Sequence, residues 1–159
     1  MRRLSSGYYQ IIAGERRWRA ARMAGLDQVP AIVIEADDRK AMELAMIENL
    51  QREDLNPMEE AEGYQQLMTQ YNLTQEETAQ RVGKSRSAVA NALRLLNLCP
   101  PVRAMVEDGR LSNGHARTIL PLSPALQEKA ADAILKSDLS VRQTELLVKK
   151  LTAQEKPQP

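Results

Sequence analysis

The chain of 159 residues is 43% hydrophobic and 27% charged, with a net charge of +1, no Phe, one Cys and one His. That length holds one ordinary domain or two small ones, and a core limited to Leu, Ile, Val, Met and Ala favours helices. A single cysteine excludes an internal disulfide framework, Cys99 and His115 give no zinc-site spacing, and no signal peptide or apolar run of membrane-spanning length is visible, so the reading is a cytosolic protein with no membrane partner.

In chain order, YYQIIA at 8–13 is bulky, uncharged and strand-like, and Gly14 permits a tight turn after it. Good helix formers run from Glu15 to Met23, with Gly25 as the closing residue. The β-branched VPAIVIEA at 29–36 reads as a buried strand. Strand, helix, strand predicts a small α/β unit, with a right-handed crossover if the strands are parallel. Asp38 can cap a helix to about Gln51, with Ala41, Leu44, Ala45 and Ile47 facing inward.

From there the pattern is helical. Asn56-Pro57 starts a helix to about Tyr71. Thr74 with Glu77 is a capping box that opens a short helix ending at Gly83, and Ser85 caps the next, which runs to about Leu98. Pro101 to Glu107 is a short helix closed by Gly109. Ser112 caps one to Leu120, Ser123-Pro124 starts one to about Lys136, and Ser140 with Gln143 starts the last. The polar tail TAQEKPQP reads as a linker or frayed end. The expected class is α+β, predominantly helical. The expected parts are an α/β domain at 1–55, a helical domain at 56–152 with a helix-turn-helix at 74–98, and a tail at 153–159.

The small net charge conceals blocks. Residues 1–22 carry six arginines (2, 3, 16, 17, 19 and 22) against Glu15, and four cations with no acid lie between Arg81 and Arg94. Ten acids against three bases occupy 35–62. Such blocks matter more for binding a polyanion than the sum does.

Two places carry chemistry. The stretch LTQEETAQRVGKSRSAVANALRLLNL, residues 73–98, has the short helix, glycine turn and capped second helix of a helix-turn-helix. Val82, Val89, Leu93 and Leu96 form its apolar stripe, and Ser85, Arg86, Ser87, Asn91 and Arg94 occupy the opposite face. Thr74, Gln75 and Lys84 complete the candidate DNA contacts. Arg86 suits a guanine edge in the major groove. A helical hairpin with a solvated basic face is the alternative. The second place is the opening segment, where a helix N-terminus after Gly14 is a ready anion site and Arg16 and Arg17 add charge-assisted bonds. Glu48 and Asn49 offer oxygen ligands for Mg²⁺ bridging phosphates, or form an ordinary helix end.

GERRWRAA, ENLQREDLNPMEEAEGY, GKSRSAVANALRLLNL, LSNGHAR and SVRQTELL occur in that order and resemble the ParB family of chromosome and plasmid partition proteins. The resemblance spans about Tyr8 to Leu151. It implies a DNA clamp operated by CTP (or CDP) with Mg²⁺. Such a clamp binds a centromere-like palindrome, parS, self-dimerises through its N-terminal domains, hydrolyses CTP slowly and partners a ParA-type ATPase on the nucleoid. It implies that Gly14, Glu15, Arg16 and Arg17 hold the triphosphate. Glu48 and Asn49 would bind metal or support hydrolysis, with Gln51 and Arg52 nearby. It also implies that Arg86, Gly114, His115 and Arg117 serve DNA binding. Trp18 is expected in the core. Arg86 with Gly114 resembles the parS-reading branch rather than the nucleoid-occlusion branch. The family's first nucleotide motif and ATPase-stimulating peptide are expected before residue 1, and its C-terminal dimerisation domain after the tail. A plain helix-turn-helix regulator is the second reading. A third is an enzyme like sulfiredoxin or a small-molecule kinase, against which Cys99 beside Pro100 argues.

Overall fold

The computed structural model describes residues 1–155 and divides into two compact units, Met1 to Arg52 and Glu53 onward. In the first, β1 (Arg2–Arg3) pairs antiparallel with β2 (Tyr9–Gln10), Arg2 opposite Gln10 and Arg3 opposite Tyr9. α1 (Glu15–Met23) and α2 (Asp38–Leu50) follow. The expected strand at 8–13 is thus reduced to two residues, and 29–36 is not a strand. Among the described residues its backbone finds one ladder partner, Met1, through Met1 N–H to the Ile32 carbonyl (3.0 Å) and Ile34 N–H to the Met1 carbonyl (2.9 Å). β-branched propensity cannot make a strand without neighbours to complete the ladder. The segment is also not buried: Ile32 is 82% exposed.

Arg2 ties this unit together. Its Nε donates to Gln10 Oε1 at 2.7 Å, Nη1 donates to the Ala36 carbonyl at 3.2 Å, and Nη2 pairs with Asp38. One nearly buried guanidinium therefore joins β2, the extended segment and the start of α2. The cap of α2 is Asp37, one residue before the expected Asp38, with Oδ1 accepting the Lys40 N–H at 2.7 Å. Ala41 is buried as expected, but Ala45 is exposed.

The second unit is all helical: α3 (Pro57–Tyr71), α4 (Gln75–Val82), α5 (Arg86–Arg94), α6 (Pro100–Glu107), α7 (Asn113–Ile119), α8 (Pro124–Ser137) and α9 (Val141–Glu155). The caps stand where Asn56, Thr74, Ser85, Ser112 and Ser140 predict. The expected helix to Leu98 tightens after Arg94 into a 3₁₀ turn, Leu95–Asn97. α9 continues through Glu155, so the polar stretch after Leu151 is helical that far. Lys156 to Pro159 lie outside the described residues.

α3 packs on α4, α5 and α6, and buries Ala61, Tyr64 and Leu67. Leu95, Leu98, Val102, Val106, Ile119, Ala130, Ile134 and Leu151 belong to one core that joins the later helices. Within this unit Gln127 is 3% exposed. Its Oε1 accepts the Cys99 N–H at 2.9 Å, and its Nε2 donates to the carbonyls of Leu122 (3.0 Å) and Leu120 (3.3 Å). One amide thus satisfies the entry to α6 and the α7–α8 connection. Gln127→Leu keeps the volume but strands three backbone groups, and should cost about 2–4 kcal/mol in urea unfolding.

Tyr64 is buried, and its hydroxyl donates to Glu60 Oε1 at 2.5 Å. Burial, then the bond to the Glu60 carboxylate and its charge, hold the phenol above its ordinary range. The folded state therefore keeps the proton that the unfolded state releases above about pH 10. Stability is complete below that pH and falls as pH rises beyond it. Tyr64→Phe should flatten the alkaline limb of a stability–pH curve.

Candidate nucleic-acid interface and anion pocket

The helix-turn-helix is built by caps and one buried stripe. Thr74 Oγ1 accepts the Glu77 N–H at 3.1 Å to start α4, and Gly83 ends it at φ 71° in the left-handed region. Ser85 Oγ accepts the Ala88 N–H at 3.1 Å to start α5. Ala79, Val82 and Val89 are buried, while Leu93 and Leu96 are half-buried. Offsets of two and five residues from Val89 turn Ser87, Asn91 and Arg94 to the opposite side of α5. Lys84, Ser85, Arg86, Ser87 and Arg94 are exposed, and Asn91 is half-exposed. At the start of α4, Thr74 is exposed and Gln75 half-buried.

The remaining candidate DNA contacts stand on α7, which packs on α6, α8 and α9. Arg117 is exposed, whereas Gly114 and His115 are half-buried. A Cβ at Gly114 would stand 3.1 Å from Val141 Cγ2, so this glycine marks a close approach of α7 to the start of α9. Among the described residues none of Lys84, Arg86, Arg94 and Arg117 is in an ion pair. Cations without a counter-charge beside a capped helix start suit a phosphate backbone.

The first unit holds a cavity of about 910 Å³. Gly14, Arg17, Glu48 and Gln51 line it, and Ile11, Ile12, Val29, Pro30, Ile32 and Ile34 supply much of its apolar wall. Gly14 sits at φ 89° and enters α1 without a side-chain cap. Arg17 folds back over it, with Nε 3.9 Å from where a Cβ would stand. The turn therefore offers free N–H groups and a guanidinium at the cavity edge, which fits an anionic group.

The other expected residues do not line the cavity. Glu15 pairs with Arg19 at 2.8 Å, Arg16 is exposed, Asn49 is rotated off the α2 face that carries Leu44, Ile47 and Glu48, and Arg52 lies beyond the end of α2. No group of three or more His, Cys, Asp or Glu among the described residues is arranged to hold a metal. Glu48 alone matches the sparse protein ligation Mg²⁺ takes when phosphates supply the rest.

Trp18 is not in the core. It is 37% exposed, lines the cavity, and carries Arg22 5.5 Å above its ring. The apolar wall and Trp18 are the lining that residue chemistry alone did not place. The continuous run at 29–34 held the signal, but its lack of alternation reads equally as core.

Among the described residues no helix is long and apolar enough to cross a membrane. Comparison with known proteins matches residues 1–50 to the ParB N-terminal domain and 53–153 to the ParB HTH domain. The chain is 59% identical over 142 residues to the chromosome-partitioning protein ParB of Myxococcus xanthus, covering 88% of this chain and 48% of that protein. It is 56% identical over 143 residues to the chromosome-partitioning protein Spo0J of Thermus thermophilus, covering 90% and 53%. The chain thus spans about half the length of these relatives. Its structure resembles that of C-terminally truncated ParB from Caulobacter crescentus complexed to the centromeric parS site. The TM-score there is 0.87 and the identity 48%, over 94% of this chain and 80% of that one. Two domain matches in order, together with this likeness, establish that the chain belongs to the ParB family.

Proposed function

We propose that this chain reads a parS-type DNA palindrome through α5 and that a nucleotide held in the first unit controls it, in the service of chromosome partition. The observation that carries the DNA reading is the exposed, unpaired Arg86 at the first position of a Ser85-capped helix, in a chain 48% identical to a ParB seen on its parS site. A helix N-terminus entering the major groove places its first side chains at base edges. A guanidinium there is matched to the O6 and N7 of guanine. Ser85, Ser87, Lys84 and Arg117 supply positioning contacts to phosphate, with Thr74 and Gln75 at the start of α4. A palindrome presents two half-sites, so two copies engage one duplex.

The nucleotide reading rests on the cavity and on the likeness of GERR and ENLQR to the family's motifs. CTP brings three phosphates, a ribose and a base. The Gly14–Arg17 turn would receive the phosphates, Glu48 would hold Mg²⁺, and the apolar wall with Trp18 would shelter the rest. Gln51 offers an amide to the sugar or base. Asn49, turned away from the cavity, has no part in this reading. Clamp closure by self-association of N-terminal units, and stimulation of a ParA-type ATPase, belong to the whole protein and follow from this reading. A plain helix-turn-helix regulator would not need the cavity, and it predicts DNA binding indifferent to CTP.

Two substitutions divide the roles. Arg86→Ala should lower affinity for the palindrome by about 1–3 kcal/mol per half-site while leaving random-sequence DNA little changed, measured by fluorescence anisotropy at fixed salt. Equal loss on both duplexes would make Arg86 a phosphate contact instead. Arg17→Ala should weaken CTP binding roughly 10- to 100-fold, as expected for lost charge-assisted bonds. The same variant should bind the palindrome normally without nucleotide. Loss of both activities would overturn the division between the units.

A further inference from the structure

His115 is the middle member of a hydrogen-bond chain that joins the starts of two helices. Ser112 caps α7: its Oγ accepts the His115 backbone N–H at 3.2 Å and lies 2.7 Å from His115 Nδ1. The other ring nitrogen, Nε2, lies 2.7 Å from the Leu139 carbonyl oxygen in the α8–α9 connection. A carbonyl only accepts, so Nε2 carries a hydrogen and donates it. In the neutral ring Nδ1 then accepts from the Ser112 hydroxyl. The next residue, Ser140, exchanges bonds with Gln143 to cap α9. One imidazole thus spans from the cap of α7 to the turn that launches α9, next to the close contact of Gly114 with Val141.

We propose that His115 is a positioning residue of the DNA-binding unit: it latches the N-terminus of α7 to the α8–α9 turn and does not itself touch DNA. Both ring nitrogens are already engaged within the protein. A bond to a base or phosphate would take Nε2 from the Leu139 carbonyl and leave a part-buried acceptor unsatisfied, at a cost that a single new contact barely offsets. α7 has seven residues, too few to be stable by itself, so its direction depends on such anchors. The latch sets the line along which Arg117, just beyond it on α7, approaches the DNA backbone. This last step rests on the DNA-binding reading above; the latch rests on the hydrogen bonds alone.

The test uses the whole chain with His115→Phe, His115→Gln, Ser112→Ala and the Ser112→Ala/His115→Phe double variant. Nitrogen-15 NMR of the wild-type ring should show an Nε2–H that persists unshifted when the palindromic duplex is added. Without DNA, Ser112→Ala and His115→Phe should lower the thermal midpoint non-additively, as partners in one network do. At a temperature where all variants are folded, His115→Phe should lose about tenfold in palindrome affinity, within the range of coupling in such networks. The double variant should be no weaker than His115→Phe, and His115→Gln, which keeps a donor, should recover most of the loss. Additive effects, or an Nε2–H signal that moves on DNA addition, would overturn the latch. If the wild-type chain fails to distinguish the palindrome from scrambled DNA, the DNA reading fails, while the ring signal and the thermal cycle still decide the latch.

Discussion

The second unit depends on one constraint: α5 must bury Val89 and leave its opposite face open. Val89 is fully buried, with Ala61, Tyr64 and Leu67 buried on α3, against which α5 packs. That burial, of order 1.5–3 kcal/mol for each large apolar side chain, fixes the rotation of α5 about its axis. The rotation determines that Ser87, Asn91 and Arg94 turn outward. The caps determine where α5 begins, and so place Arg86 exposed at its first position. The small Ala61 and Ala79 permit close helix approach, and Gln127 closes the polar accounts of two helix junctions that apolar packing leaves open.

In the first unit the corresponding constraint is backbone geometry. Gly14 adopts a left-handed conformation that other residues reach only with strain, and this aims the first turn of α1 at the cavity. Arg2 holds the walls from behind without lining the cavity itself. Gln10 leads into Ile11 and Ile12, Ala36 follows Ile34, and Asp38 begins the helix that carries Glu48 and Gln51. The unit thus separates the residues that brace the cavity from those that line it.

Helices were legible in the sequence because their ends are marked by local chemistry. Asn56, Thr74, Ser85 and Ser112 cap where their side chains predict, and Gly83 and Gly25 close helices where left-handed backbone is needed. The strands were not legible, because ladder formation is non-local. Nothing in VPAIVIEA says whether a neighbour exists, and its apolar residues line a cavity instead of a sheet core. The candidate site divides on the same principle. Arg17 and Glu48 follow from motif and helix phase, whereas the apolar wall, Trp18 and the Arg2 tie depend on contacts between distant segments. His115 shows the limit of motif reading: its two ring bonds are visible only once Leu139, 24 residues away, is placed beside it.

If the second unit reads DNA and the cavity of the first holds a nucleotide, as proposed, the two are coupled on one chain. The most direct measurement is binding of labelled CTP, against ATP, GTP and UTP, with Mg²⁺ and with or without the palindromic duplex. Selective CTP binding that rises when the duplex is present is the predicted result. Absence of nucleotide binding in a chain whose affinity for the palindrome is intact would contradict the coupling and leave a DNA reader alone.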